Sequence, residues 1–119
     1  MPRTQMIADW LRAWARWRID LVEEGDCGRN ARVAIALIDA AEYVTTLEEH
    51  AQVVIRLAVA GCFADGRFDP GPRAERILWE WDRVGGCSGP VRLLDALAAA
   101  AEERTPTAVR RPGPYTADL

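Results

Sequence analysis

The chain has 119 residues, half of them apolar, and a formal net charge of −3 at pH 7, which fits one domain with a core that needs neither metals nor disulfides. All 15 of its basic residues are arginine, a bias typical of a GC-rich bacterial or phage genome. Without lysine, Schiff-base chemistry, an amine general base and a phosphate-binding loop of the GxxxxGKS/T type are excluded.

The first predicted helix carries a stripe of tryptophans. Trp10, Trp14 and Trp17 fall at i, i+4 and i+7, which places them on one helix face. Arg12 and Arg16 lie beside this stripe. A core wall and a partner-binding ridge are both consistent with the pattern, because tryptophan buries a large area and is enriched, with arginine, at binding hot spots.

Glycines and capping patterns predict where the next helices begin. The first helix, over residues 4–24, ends at a glycine-rich break, and the second runs over 31–44 with Asn30 as its cap. A Thr-x-x-Glu pattern from Thr46 to Glu49 matches a capping box, so the third helix is predicted to start there. The tight link predicts that the second and third helices pack as an antiparallel hairpin.

The remaining sequence predicts two more helices and a tail. A Pro-Gly-Pro turn precedes the fourth helix, whose apolar stripe leaves Trp79 pointing away from it. Ser88 is the predicted cap of the fifth helix. The fold is therefore expected to be all-α, a single-domain bundle of four to five helices over residues 1–104, followed by a proline-rich, flexible or surface-laid tail over residues 105–119.

Cysteine and histidine usage argues against metal or cofactor chemistry. Cys27, Cys62 and Cys87 are an odd number at wide spacing, which indicates reduced thiols in a cytoplasm rather than a disulfide framework. With His50 as the only histidine and no CxxC pair, we expect no metal and no cofactor. No membrane contact is expected either, because charged residues interrupt every apolar run before it could span a bilayer.

The function favoured by these patterns is protein–protein binding. The chain lacks the residue spacing of a catalytic site, so we expect a small, non-enzymatic adaptor, inhibitor or assembly subunit whose partner is another protein or a second copy. The candidate contact residues are the stripe, its arginines and the off-stripe tryptophan: Trp10, Arg12, Trp14, Arg16, Trp17 and Trp79.

Two alternatives belong to other classes of function. Arg12, Arg16 and Arg18 are the residues that a nucleic-acid-binding accessory protein would place on phosphates, although the net acidic charge opposes this. Cys87 lies in a glycine-rich turn before the predicted fifth helix, whose dipole stabilises a thiolate. The second alternative is therefore a reactive or redox-sensing thiol at Cys87.

Overall fold

Five α-helices form the fold in a computed structural model that describes residues 1–81 and 89–103. In chain order they are α1 (Arg3–Asp20), α2 (Arg29–Val44), α3 (Gln52–Val59), α4 (Pro72–Trp79) and α5 (Pro90–Glu102). The described ranges contain no strand, which confirms the all-α prediction. Ser88 and the predicted tail lie outside the described residues.

The most extensive packing in the fold joins α1 to α2. The two helices are antiparallel, because Arg18 near the end of α1 bonds to Asn30 in the first turn of α2. Small buried side chains on both helices permit a close approach of their backbones: Ala8, Ala15, Ala34, Ala40 and Ala41. α5 contacts α2, α3 and α4 and so completes the bundle.

The core is continuous across all five helices. Removal of its apolar side chains from water supplies the main favourable term for folding. Its largest fully buried apolar residues are Ile7, Leu11, Trp14, Val33, Leu37, Val44, Leu57, Leu78, Leu93, Leu94 and Leu97.

The predicted capping box at the start of the third helix is wrong. The hydroxyl of Thr45 donates to the carbonyl of Glu42 at 2.7 Å, and that of Thr46 donates to the carbonyl of Tyr43 at 2.6 Å. Both threonines therefore close the end of α2, an arrangement in which a hydroxyl bonds three residues back along the chain. α3 begins later, at Gln52.

Glu49, the acid of the predicted capping box, caps a different helix. Its two carboxylate oxygens accept the backbone N–H groups of Arg3 and Thr4, at 2.9 and 3.0 Å. These donors belong to the first turn of α1, which has no intrahelical acceptor for them. The bonds from Thr4 and Arg3 hold the pKa of the Glu49 carboxyl below its ordinary value.

Arg56 connects α3 to α5. Its guanidinium donates to both carboxylate oxygens of Glu102, at 3.0 and 2.8 Å, and to Asp95 at 2.9 Å. The hydrogen bond to Glu102 is the main cause that raises the pKa of Arg56, and the same bond lowers the pKa of Glu102. Arg56 therefore takes part in a surface ion-pair network that joins α3 to α5.

We expect Glu49→Ala to lower the free energy of unfolding by about 1 kcal/mol at neutral pH, the usual cost of losing a helix N-cap. Because folding lowers the pKa of Glu49, the charge-dependent part of this contribution is present above the unfolded pKa. It disappears as the pH falls through the lower, folded pKa. Urea unfolding at neutral and at strongly acidic pH measures both.

The matched control for this cap is Glu48→Ala. Glu48 is exposed, and its carboxylate contacts the exposed side chain of His50 at 2.8 Å. Surface pairs of this kind contribute little, so the control should unfold like the parent protein. An equal loss of stability in both variants would contradict the role assigned to Glu49.

Candidate functional site

A buried arginine joins α1, α2 and α4 at one end of the bundle. Arg18 is only 1% exposed. Its Nε donates to Oδ1 of Asn30 at 2.6 Å, and its Nη1 donates to the carbonyl oxygen of Trp79 at 3.1 Å. Its Cζ atom lies 4.5 Å from the centre of the Trp79 ring. A guanidinium tolerates such a position because it is weakly hydrated, planar and able to stack on an aromatic face.

Asn30 is fixed in turn by the link between α1 and α2. It was predicted to cap α2, but Gly28 occupies that position and Asn30 lies inside the first turn. The Asn30 side-chain amide donates to the carbonyl of Leu21 at 3.0 Å and to Asp26 at 2.9 Å. Asp26 also accepts the N–H of Gly28 at 2.8 Å. The bond from Asn30 is the largest cause that lowers the pKa of Asp26.

Trp79 ends α4 and lies between the core and the surface. As the last residue of the helix, it has a backbone carbonyl without an intrahelical donor. Arg18 and Arg29 both donate to this oxygen, Arg29 through Nη2 at 3.2 Å. The Trp79 ring lies 5.2 Å from the ring of Trp17, centre to centre. The Trp79 side chain is half-buried, so it points only partly away from the apolar stripe of α4.

The structure divides the tryptophan stripe of α1 into a core part and a surface part. Trp10 and Trp14 are 4% and 1% exposed, which places them in the core and out of reach of a partner. Trp17 is half-buried and packs edge-to-face on Trp14, with ring centres 5.2 Å apart. Trp17 and Trp79 are therefore the predicted contact tryptophans that this fold brings together at its surface.

Arg12 and Arg16 lie on the exposed side of α1. They line a wide, shallow groove of about 470 Å³ together with Trp17 and two acidic residues, Asp9 and Asp20. Arg12 comes within 3.7 Å of the Asp9 carboxylate. The charge in this groove is therefore mixed.

The three arginines proposed for nucleic-acid binding do not lie on one exposed surface. Arg12 and Arg16 are exposed, whereas Arg18 is buried against Asn30 and Trp79 and cannot reach a phosphate. Sequence reasoning missed the role of Arg18 because its charge suggested solvent. Its position was informative, since it follows Trp14 by four residues and Leu11 by seven, on the buried face.

The cysteines and the histidine considered for thiol or metal chemistry form no metal site among the described residues. Cys62 is fully buried and Cys27 is exposed, while Cys87 lies outside the described residues, so its reactivity stays a prediction. The His50 side chain is 80% exposed. In the part of the chain that the structure describes, no three or more His, Cys, Asp or Glu side chains are grouped to hold a metal ion.

Comparisons with known proteins add no functional information. No protein-family model matches the chain, and neither the curated proteins nor the solved structures give a significant match. Among the described helices, none has the length and apolar character needed to cross a membrane.

We expect Arg18→Ala to lower the free energy of unfolding by about 3 kcal/mol, because it removes a buried side chain and deprives a part-buried amide oxygen and a part-buried carbonyl of a charged donor. Arg16→Ala, two residues away on the exposed face of α1, should change stability by less than about 0.5 kcal/mol. Guanidinium denaturation of both variants provides the test. Similar small effects would show that Arg18 does not hold the three helices together.

Iodoacetamide should alkylate Cys27 readily in the folded protein and leave Cys62 unmodified until the protein unfolds, because only the former thiol is accessible. Peptide mass spectrometry over a time course measures both rates. Rapid native labelling of Cys62 would contradict its burial. The thiol hypothesis for Cys87 requires in addition that this residue react faster than Cys27.

Proposed function

We propose that this protein is a non-enzymatic binding module that recognises another protein through the Trp17–Trp79 surface. We define this surface as Trp17 and Trp79 with the arginines around them, Arg12, Arg16 and Arg29. The observation that carries the proposal is a pair of half-buried tryptophans, 5.2 Å apart and in contact with arginine side chains. Adaptor, inhibitor and assembly subunit are all roles open to such a module.

The composition and rigidity of this surface support the proposal. Tryptophan and arginine are the residues that most often dominate binding energy at protein interfaces. Trp79 is held in place by contacts of its ring with Trp17 and Arg18. A side chain that is already ordered loses little conformational entropy on binding, which favours affinity.

A protein partner fits this surface better than a nucleic acid does. The exposed arginines of α1 share their groove with Asp9 and Asp20, which would repel phosphates. Alternating charges suit the mixed polar rim of a protein interface. The proposed partner is another protein or a second copy of this chain. The exposed cysteine Cys27, which forms no disulfide with the described residues, supports the further proposal that binding takes place in the cytoplasm.

Arg16→Glu should reduce partner binding without affecting the fold. Arg16 is exposed and forms no hydrogen bond or ion pair with the described residues, so reversal of its charge leaves the core intact. We expect at least a fivefold loss of affinity, roughly 1 kcal/mol, as for a rim charge beside a hot spot. Quantitative capture from host extract and sedimentation velocity of the pure protein cover both kinds of partner.

The matched control is Arg67→Glu, which makes the same charge change in the loop before α4. This exposed residue lines a different pocket with Trp10 and Met6, which shares Asp9 with the groove but includes neither Trp17 nor Trp79. The control should bind like the parent protein. If Arg16→Glu retains every association of the parent protein, or if both variants lose them equally, the Trp17–Trp79 surface is not the binding site.

A further inference from the structure

We infer that the exposed face of α1 binds the same face of a second copy of this chain, with the two α1 helices antiparallel. The inference rests on the proposed function, because it commits the partner of the Trp17–Trp79 surface to a second copy. We define the α1 face by the residues that line its shallow groove: Asp9, Arg12, Ala13, Arg16, Trp17 and Asp20. The order of the charges along this face carries the inference.

Basic and acidic side chains occupy different parts of the α1 face. Arg12 and Arg16 lie in the second half of the helix, whereas Asp20 is its last residue and Glu23 and Glu24 follow it in the link to α2. All five side chains are exposed. A surface that is basic in one part and acidic in the next is complementary to itself when one copy is turned by 180°. A two-fold interface requires this property, because the same patch serves both copies.

Asp9 does not disturb this division of charge. It lies one turn before Arg12, whose guanidinium comes within 3.7 Å of its carboxylate. The side-chain amide of Gln5 also donates to the Asp9 carboxylate, at 2.8 Å. Asp9 is therefore engaged within its own helix.

Arg16 and Asp20 have no ionic partner among the described residues. They are four residues apart on one helix, yet they form no ion pair with each other or with another described side chain. Asp20 lies at the C-terminal end of α1, where the helix dipole disfavours a negative charge. Such a departure from the local rules of helix stability is expected where a residue serves an interface rather than its own helix.

The charge order selects one arrangement of the two copies. A two-fold axis at the level of residue 18 places Arg16 of each copy opposite Asp20 of the other, because each lies two residues from the axis. Arg12 then faces the two acids of the link. An axis midway between Arg12 and Arg16 would set arginine against arginine, and a parallel arrangement would set each charge against itself. Like charges in direct opposition are unfavourable at an interface.

The centre of this arrangement is apolar. Ala13 presents only a methyl group, so the backbone of a second helix can approach it closely. Trp17 is half-buried and already ordered by its contact with Trp14, so it loses little conformational entropy in a new contact. Ile19 is 50% exposed and follows Arg16 by three residues, which places it on the same side of α1. An apolar centre with a charged rim is the usual composition of a protein interface.

A charge exchange between two variants tests this arrangement. In a symmetric dimer, Arg16→Glu and Asp20→Arg each bring like charges together twice, so each variant alone should dimerise roughly tenfold more weakly than the parent protein, or weaker still. An equimolar mixture of the two variants should recover association. In the mixed dimer, the acid introduced at position 16 of one copy faces the arginine introduced at position 20 of the other, and the native Asp20 of the first faces the native Arg16 of the second. Sedimentation velocity over a concentration series measures all three samples.

Two controls accompany the exchange. Circular dichroism establishes that both variants are folded, as expected for substitutions at exposed positions. Arg67→Glu makes the same charge change away from α1 and should dimerise like the parent protein. The inference is overturned if the parent protein stays monomeric at the highest concentration at which it is soluble. It is also overturned if Arg16→Glu and Asp20→Arg dimerise normally, or if their mixture associates no better than either variant alone.

The two proposals fail separately. A monomeric parent protein that captures a host protein, and loses it in Arg16→Glu, would leave the Trp17–Trp79 surface as a binding site and remove only the second copy. Retention by Arg16→Glu of every association of the parent protein counts against the proposed function itself.

Discussion

The arrangement of α1, α2 and α4 depends on the hydrogen bonds of the buried Arg18 guanidinium. A charge so far from water persists only when its donors have acceptors, and these come from Asn30 in α2 and from the end of α4. Asp26 fixes Asn30 from the link before α2. A shift of either helix would leave polar atoms buried without partners, so the network selects one relative placement of the three helices.

The same residues hold the fold together and shape its most distinctive surface. Arg18 satisfies the terminal carbonyl of α4, and this contact brings the ring of Trp79 against Trp17. Arg29 reinforces the carbonyl contact, but its Nε has no acceptor in the described part of the chain. A buried donor without an acceptor costs stability, and such costs are tolerated most often at functional surfaces. The unsatisfied arginine is therefore more informative than the satisfied one.

Periodicity was sufficient to predict the helical class, because the tryptophans of α1 recur at the spacing of one helix face. It failed where a partner lies far along the chain. Glu49 matched a local cap, yet it bonds to Arg3 and Thr4, more than forty residues away. Trp79 lies outside the apolar stripe of α4. Its half-buried position depends on the contact of its ring with Trp17 of α1. The position of Arg18 on the helix predicted a buried side chain, whereas its charge predicted an exposed one. The side chain is buried, because Asn30 and Trp79 supply acceptors for its hydrogen bonds.

The tryptophan rings of α1 belong to a longer row of aromatic side chains, which continues beyond both ends of the tryptophan stripe. Successive ring centres lie 5.2 to 5.7 Å apart along one unbroken row: Phe63, Phe68, Trp10, Trp14, Trp17 and Trp79. This row ties α1 to the loop before α4 at one end and to the last residue of α4 at the other. Fraying of α1 from either end would deprive a ring of its aromatic neighbour, so the helix and the segment over residues 63–79 should open together, as a single cooperative unit in native-state hydrogen exchange.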